Sequence, residues 1–118
     1  MTPFGEKMRA LRAARGLTLT QLAHDLNLSP AYLSALEHGQ RGRPSPGLVM
    51  QICGALGIIW DDAEDLKQLA ELSHPKVTID TSGLSPAATE LANRLARRIR
   101  DLPEERLGQM LELIRSED

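Results

Sequence analysis

The residues of this 118-residue chain best suited to chemistry are cations and hydroxyls set on or beside short turns. The segment His38-Gly39-Gln40-Arg41-Gly42-Arg43-Pro44 places two guanidinium groups on one Gly-rich turn. Upstream of it, Thr18, Thr20, Ser29 and Ser34 carry hydroxyls, with Tyr32 between the last two. Arg donates bidentate hydrogen bonds to phosphate, and a hydroxyl at a helix start can donate to the same group while capping the helix. The chemistry this points to is reversible phosphate contact by Arg41 and Arg43, assisted by Thr18 and Thr20; the alternative for the turn is a solvated loop.

Bond-making chemistry has no comparable support. His24, His38 and His74 stand apart from any Cys or carboxylate at ligand spacing and read as surface or helix-end residues. Cys53, within Gln51-Ile52-Cys53-Gly54-Ala55-Leu56, reads as a small packing residue in preference to a redox switch. Asp61, Asp62, Glu64 and Asp65 look like paired carboxylates, yet acids crowd the first turn of a helix because its dipole favours them there. With no nucleophile–base pair, metal cluster or phosphate-cradling Gly-rich loop, the expectation is a protein without catalytic activity, metal or cofactor.

Composition is ordinary for a folded protein, with 42% hydrophobic and 25% charged residues, enough for one compact domain or a small domain and an appendage. Only Phe4, Tyr32 and Trp60 are aromatic, so an aliphatic core is expected. A single cysteine suits a reducing compartment, and the absence of a long apolar run argues against a membrane span; the expected location is cytoplasmic. The net charge of −2 conceals a division along the chain. Residues 1–57 hold six Lys and Arg against three acids, a balance of +3. Residues 58–82 hold two against six, or −4, and residues 83–118 six against seven, or −1. A phosphate backbone responds to the field within a Debye length, about 10 Å at moderate salt, so the local +3 matters more than the total.

The elements that must position these groups are helices. Ser or Thr followed by Pro marks a helix start at Thr2-Pro3, Ser29-Pro30, Ser45-Pro46 and Ser85-Pro86, and Thr18 with Gln21 has the spacing of a capping box. Gly16, Gly39 and Gly57 follow apolar-periodic runs and are placed to end them. The spacing predicts helices at about 3–15, 19–26, 30–38, 46–56, 61–73, 86–101 and 104–115. Asn27 and Leu28 alone separate the second from the third start, forcing a sharp turn, and Leu22, Ala23, Leu26, Leu28, Leu33 and Leu36 give that pair a shared apolar face. Residues 74–85 break the helical period as a linker, where Val77 and Ile79 alternate as in a short strand. Trp60, beside Ile58 and Ile59, reads as a hydrophobic anchor for the fifth helix or a dimer seam.

A short helix, a tight turn and a second short helix with a Ser cap is the geometry that inserts the second helix into the major groove. Gly16-Leu17-Thr18, Leu22-Ala23, the run from Leu28 to Gly39 and Arg43-Pro44-Ser45 together resemble the Cro/repressor-type (XRE) helix-turn-helix family over about residues 5–60. The resemblance implies a five-helix lambda-repressor-like domain, residues 1–73, that binds double-stranded operator DNA as a dimer. It places the start of the recognition helix at Ser29 and base contacts at Pro30, Ala31, Ser34 and Ala35, and it pairs Arg12 with Glu37 as a bridge between the first and third helices, the alternative being that Arg12 reaches DNA. Two departures stand out. Leu19 occupies a position where the family often has Gln, and no charged or amide side chain lies between Ser29 and Leu36. The bidentate base readout of long polar side chains is thus missing from this helix, leaving Ser34, Tyr32 and the methyls of Ala31 and Ala35, with a larger share for DNA shape and backbone contact.

Residues 86–118 carry two apolar stripes, Leu91, Leu95, Ile99 and Leu107, Leu111, Ile114, with Arg94, Arg97, Arg98 and Arg100 largely opposite the first and Glu90 placed to pair with Arg94. A hairpin cannot hide that surface alone, so these helices are expected to pack on the N-terminal domain, on a second copy, or both. The reading is an all-α, sequence-specific DNA-binding transcriptional regulator, a repressor on a near-palindromic operator, homodimeric through its C-terminal two-helix appendage. The alternative is an antitoxin-like or adaptor protein whose C-terminal helices bind another protein. A small-molecule or protein effector leaves no readable motif.

Overall fold

The computed structural model describes residues 1–115; the last three residues of the expected 86–118 hairpin lie outside the described residues. It is all-helical and divides into two units, Met1–Val77 and Thr78–Asp118. The first holds α1 (Pro3–Ala14), α2 (Leu19–Asp25), α3 (Pro30–Glu37), α4 (Pro46–Leu56) and α5 (Trp60–Glu71). The second holds α6 (Pro86–Arg98), a 3-10 turn (Ile99–Asp101) and α7 (Glu104–Arg115).

Helix starts follow from local chemistry. Thr2, Ser29, Ser45 and Ser85 each accept a hydrogen bond from a first-turn amide, and Pro supplies the preset φ just after each. Thr18 and Gln21 form the reciprocal capping box, Thr18 N donating to Gln21 Oε1 at 2.8 Å and Gln21 N to Thr18 Oγ1 at 3.1 Å. Between α2 and α3, Asn27 takes a left-handed φ of 57°, which its short polar side chain tolerates, and Leu28 N donates to Ala23 O at 2.9 Å. That 6→1 bond ends α2 and turns the chain within three residues.

The core joins α1 through α5: Phe4, Met8 and Leu11 from α1, Leu22 and Ala23 from α2, Leu33 and Leu36 from α3, Val49, Ile52 and Leu56 from α4, then Ile58, Leu66 and Ala70. It is aliphatic except for Phe4, which is fully buried and corrects the expectation of a core without aromatics. Ser73 closes the unit: its hydroxyl accepts from Phe4 N at 2.9 Å and donates to Leu69 O at 2.5 Å, so a residue just past the end of α5 ties its last turn to the first turn of α1.

Three expectations differ from the structure. Val77 and Ile79 are exposed and belong to no strand, because a single extended segment with no neighbouring strand has no ladder to join. Trp60 is 82% exposed, with φ of 58°, and does not anchor α5 in the core of its own unit; Leu66 and Ala70 do. The sixth helix does not continue to 101 in α form: Leu102 precedes Pro103 and is extended, so the chain tightens into a 3-10 turn over the residues before it.

In the second unit, Arg94 Nε lies 2.7 Å from Glu90 Oε2, as the i,i+4 spacing anticipates. None of its described residues is buried. Leu91, Ile99, Leu111 and Ile114 are exposed, and Leu95 and Leu107 are half-buried with Ala88, Ala92, Leu102 and Met110.

Gly5 supplies a test of this packing. A Cβ there would lie 2.7 Å from both the Cα and the carbonyl carbon of Glu37, closer than backbone tolerates. Helix propensity alone favours Ala over Gly by about 1 kcal/mol. Gly5→Ala is nevertheless expected to lower stability by about 1–3 kcal/mol in urea unfolding, as overpacked sites do. A more stable variant would contradict the contact between α1 and α3.

Candidate nucleic-acid interface

The arrangement is built around α3. Its inner side is formed by Leu33, Leu36 and Glu37, all buried. Pro30 and Ala31 are exposed after the Ser29 cap, while Tyr32, Ser34 and Ala35 are half-buried. The outward side therefore has only small groups apart from Tyr32, and its first turn is held by Ser29 Oγ accepting from Tyr32 N at 3.1 Å.

Glu37 fixes the other end of α3. Its side chain is 1% exposed, and its two oxygens meet two guanidinium groups: Oε1 lies 3.2 Å from Arg12 Nη2 and Oε2 3.2 Å from Arg9 Nη2. Arg12 also donates to Leu17 O at 3.4 Å, across the loop between α1 and α2. The Glu37 carbonyl accepts from Thr2 N at 3.1 Å and from Thr2 Oγ1 at 3.2 Å. A carboxylate out of water is costly unless paired and hydrogen-bonded, and two charge-assisted contacts meet that requirement. Arg12 is thereby turned inward to brace α1 against α3. Sequence reasoning named Arg12 as Glu37's partner but missed Arg9; Arg9 precedes Arg12 by three residues and so shares its face of α1, which was the available signal. It also missed Gly5 and Thr2 as the backbone contact on Glu37, for which no sequence pattern existed.

After α3 the chain folds back on itself. His38 Nδ1 donates to Ser34 O at 2.8 Å, Gly39 N to Leu36 O at 3.2 Å and Gln40 N to Ala35 O at 2.9 Å. Gly39, with φ of 77°, permits the reversal, and a Cβ there would also press on Thr2 Cγ2 at 2.8 Å. Arg41 and Arg43 are both exposed, but their settings differ. The Arg41 guanidinium carbon stands 5.7 Å from the centroid of the Tyr32 ring, within cation–π range. Arg43 lines a shallow cleft with Pro44, Pro46, Val49, Lys67, Ala70 and Glu71. Thr18 and Thr20 are exposed at the start of α2. Ser29, Pro30, Ala31, Tyr32, Ser34, Ala35, His38 and Arg41 are thus gathered on α3 and its following turn, whereas Leu91, Leu95, Ile99, Leu107, Leu111 and Ile114 belong to the second unit.

Among the described residues, no group of three or more His, Cys, Asp and Glu is placed to hold a metal ion. No helix among them is long and apolar enough to cross a membrane. Cys53 is half-buried, and its thiol pKa is pushed up by desolvation, opposed in part by the nearby charge of Lys67.

A family model described as a helix-turn-helix domain matches residues 3–66. The HTH-type transcriptional repressor RghR of Bacillus subtilis is 43% identical over 61 residues, 52% of this chain and 45% of that protein. The uncharacterized HTH-type transcriptional regulator RghRB of the same organism is 39% identical over 62 residues, again 52% and 45%. The immunity repressor protein of Bacillus phage phi105 is 43% identical over 54 residues, 46% of this chain and 37% of that protein. The chain spans less than half the length of these relatives. The crystal structure of the clp gene regulator ClgR from C. glutamicum, at 38% identity, covers 58% of this chain and 84% of that one with a TM-score of 0.49.

Two outcomes check the local chemistry. Glu37→Ala strands Arg12 in a largely buried position and is expected to cost about 3 kcal/mol or more in equilibrium unfolding. The double variant with Arg12→Met should recover part of that loss; no recovery would mean the pair is not what the site depends on. Since desolvation raises its pKa, the Cys53 thiol holds less thiolate at neutral pH than a free cysteine, and alkylation by iodoacetamide is expected to be slower. Faster alkylation would revive the redox reading.

Proposed function

Because the chain belongs to the helix-turn-helix domain family, in its Cro/repressor-type branch, we propose that it is a sequence-specific DNA-binding transcriptional regulator, a repressor that acts as a homodimer on a near-palindromic operator. The observation that carries this reading is α3 itself. It is a helix capped by Ser29, braced from behind by Arg9 and Arg12 through Glu37, and presenting small residues with cations on the following turn. Such a helix can enter the major groove closely, with its N-terminal residues nearest the base edges. The names of the relatives, two of them repressors, support the direction of regulation.

Residues 1–73 then serve as the DNA-binding domain, 74–85 as the linker and 86–118 as the dimerisation hairpin. The apolar residues of α6 and α7 support that last role, since an amphipathic helix pair with no buried side chain needs further apolar surface to cover it. Two-fold pairing through Leu91, Leu95, Ile99, Leu107, Leu111 and Ile114 would present two copies of α3 to half-sites about one helical turn, roughly 34 Å, apart. Arg43 contributes a phosphate contact, and Thr18 and Thr20 add hydroxyl donors. The acids Asp61, Asp62, Glu64 and Asp65 lie in the first turns of α5, where the helix dipole favours them, and the positive balance of residues 1–57 is the charge that favours the encounter with DNA.

Leu95→Glu is expected to convert a dimer into a monomer by sedimentation and to weaken operator binding by more than tenfold, leaving the first unit folded. A wild-type monomer that binds one half-site as tightly as a full site would refute the dimeric operator model. A dimer that is unaffected by Leu95→Glu would move the interface elsewhere and favour another protein as the hairpin's partner. Arg43→Ala should weaken binding to all sequences alike and reduce the slope of log K against log salt by about one unit.

A further inference from the structure

The recognition helix poses a chemical problem: between Ser29 and Leu36 it has no side chain able to make the paired hydrogen bonds that distinguish guanine or adenine in the major groove. The structure brings such a group to it from outside. We propose that Arg41 is a base-reading residue, held over the Tyr32 ring so that its guanidinium supplies to the major groove the bidentate donor pair that α3 lacks, and that it selects a guanine. The proposal rests on the DNA-binding reading above.

Geometry carries it. Tyr32 is the third residue of α3 and lies about 8 Å along the axis from Glu37, toward the end of the helix that enters the groove. The turn after α3 runs back alongside it, through Gln40 N on Ala35 O at 2.9 Å and Gly42 N on Gly39 O at 3.3 Å, with Gly39 and Gly42 both left-handed. This return is what lets a residue nine positions later place its guanidinium carbon 5.7 Å from the Tyr32 centroid. An unrestrained Arg on a loop tip would instead be expected to extend into solvent.

The chemistry is compatible with readout. A cation over an aromatic ring is stabilised by the ring's quadrupole, and that contact uses none of the guanidinium N–H donors. Arg9, Arg12 and Arg94 have theirs committed to carboxylates, whereas Arg41 has no ion pair among the described residues. The fork therefore keeps two parallel donors for the O6 and N7 acceptors of guanine. Ala31, Ser34 and Ala35 are small enough to let the base edges approach. Arg43, two residues on and beyond Gly42, lies instead by Pro44, Val49 and Lys67. The two Arg of one turn thus divide the work: Arg41 reads a base and Arg43 meets the backbone.

The test is enrichment from a randomised duplex library by the full chain, comparing wild type with Arg41→Ala, Arg43→Ala, Tyr32→Phe and Tyr32→Leu. Wild type should enrich a motif with a guanine in each half-site that Arg41→Ala no longer prefers, a loss of about tenfold or more in discrimination at that pair alone. Tyr32→Phe keeps a ring face and should keep the guanine; Tyr32→Leu should lower the same preference several-fold. Arg43→Ala should leave the motif intact. An Arg41→Ala motif identical to wild type, with all sequences weakened alike, would overturn the assignment and make Arg41 a phosphate contact. A guanine preference lost in Arg41→Ala but untouched in Tyr32→Leu would overturn the role of the ring. A wild type that enriches no motif would overturn the DNA-binding reading and this assignment with it.

Discussion

The first unit depends on a single buried carboxylate. Glu37 closes α3 from inside the protein, and each part of it holds a different piece of α1: the side chain takes Arg9 and Arg12, the carbonyl takes Thr2, and the backbone leaves room only for a hydrogen at Gly5. Burying a charge is unfavourable unless its partners are equally fixed, so the pairing has one good geometry and fails abruptly away from it. That property suits a recognition element. Apolar packing by Leu33 and Leu36 says which side of α3 faces inward, and the directional Glu37 contacts add a tie between the C-terminal end of α3 and α1.

A fixed α3 explains how a helix with so little functional chemistry of its own can serve as a recognition element. Its outward residues are small, and the following turn, which carries Arg41 beside Tyr32, is bonded to the last residues of α3. His38 on Ser34 and Gln40 on Ala35 continue the brace from Glu37 into that turn. The electrostatics follow the same division. The net charge of −2 sums a basic stretch over residues 1–57 and acidic segments farther along the chain, and screening over about 10 Å makes the local balance matter more than the total.

Much of the fold was legible because its signals are local. A Ser or Thr cap followed by Pro satisfies orphan amides within three residues, so the starts of α1, α3, α4 and α6 could be read to the residue, and the capping box gave that of α2. Helix ends were less sharp: α5 stops at Glu71 and α6 gives way to a 3-10 turn where Leu102 must be extended before Pro103. Alternation at Val77 and Ile79 suggested a strand, yet a strand is a relation between segments, and no second extended segment pairs with it among the described residues. Trp60, beside Ile58 and Ile59, suggested an anchor for the fifth helix or a dimer seam; it is exposed and has a left-handed backbone, a feature that no residue pattern announces.

What the sequence determined by itself was the number and starts of the helices, the sharp α2–α3 turn, the family resemblance and the division of charge, because each depends on neighbours within a few residues or on composition. The Arg12–Glu37 pairing was reachable only through that resemblance, since 25 residues separate the partners. Tertiary structure alone decided that Arg9 joins the same carboxylate, that Ser73 caps α1, that Gly5 cannot carry a side chain and that the two Arg of one turn occupy different settings. The reason is common to all four: distance in space between residues far apart in the chain, or between a turn and the helix it folds back on, is set by packing of the whole core and leaves no periodic trace in the sequence.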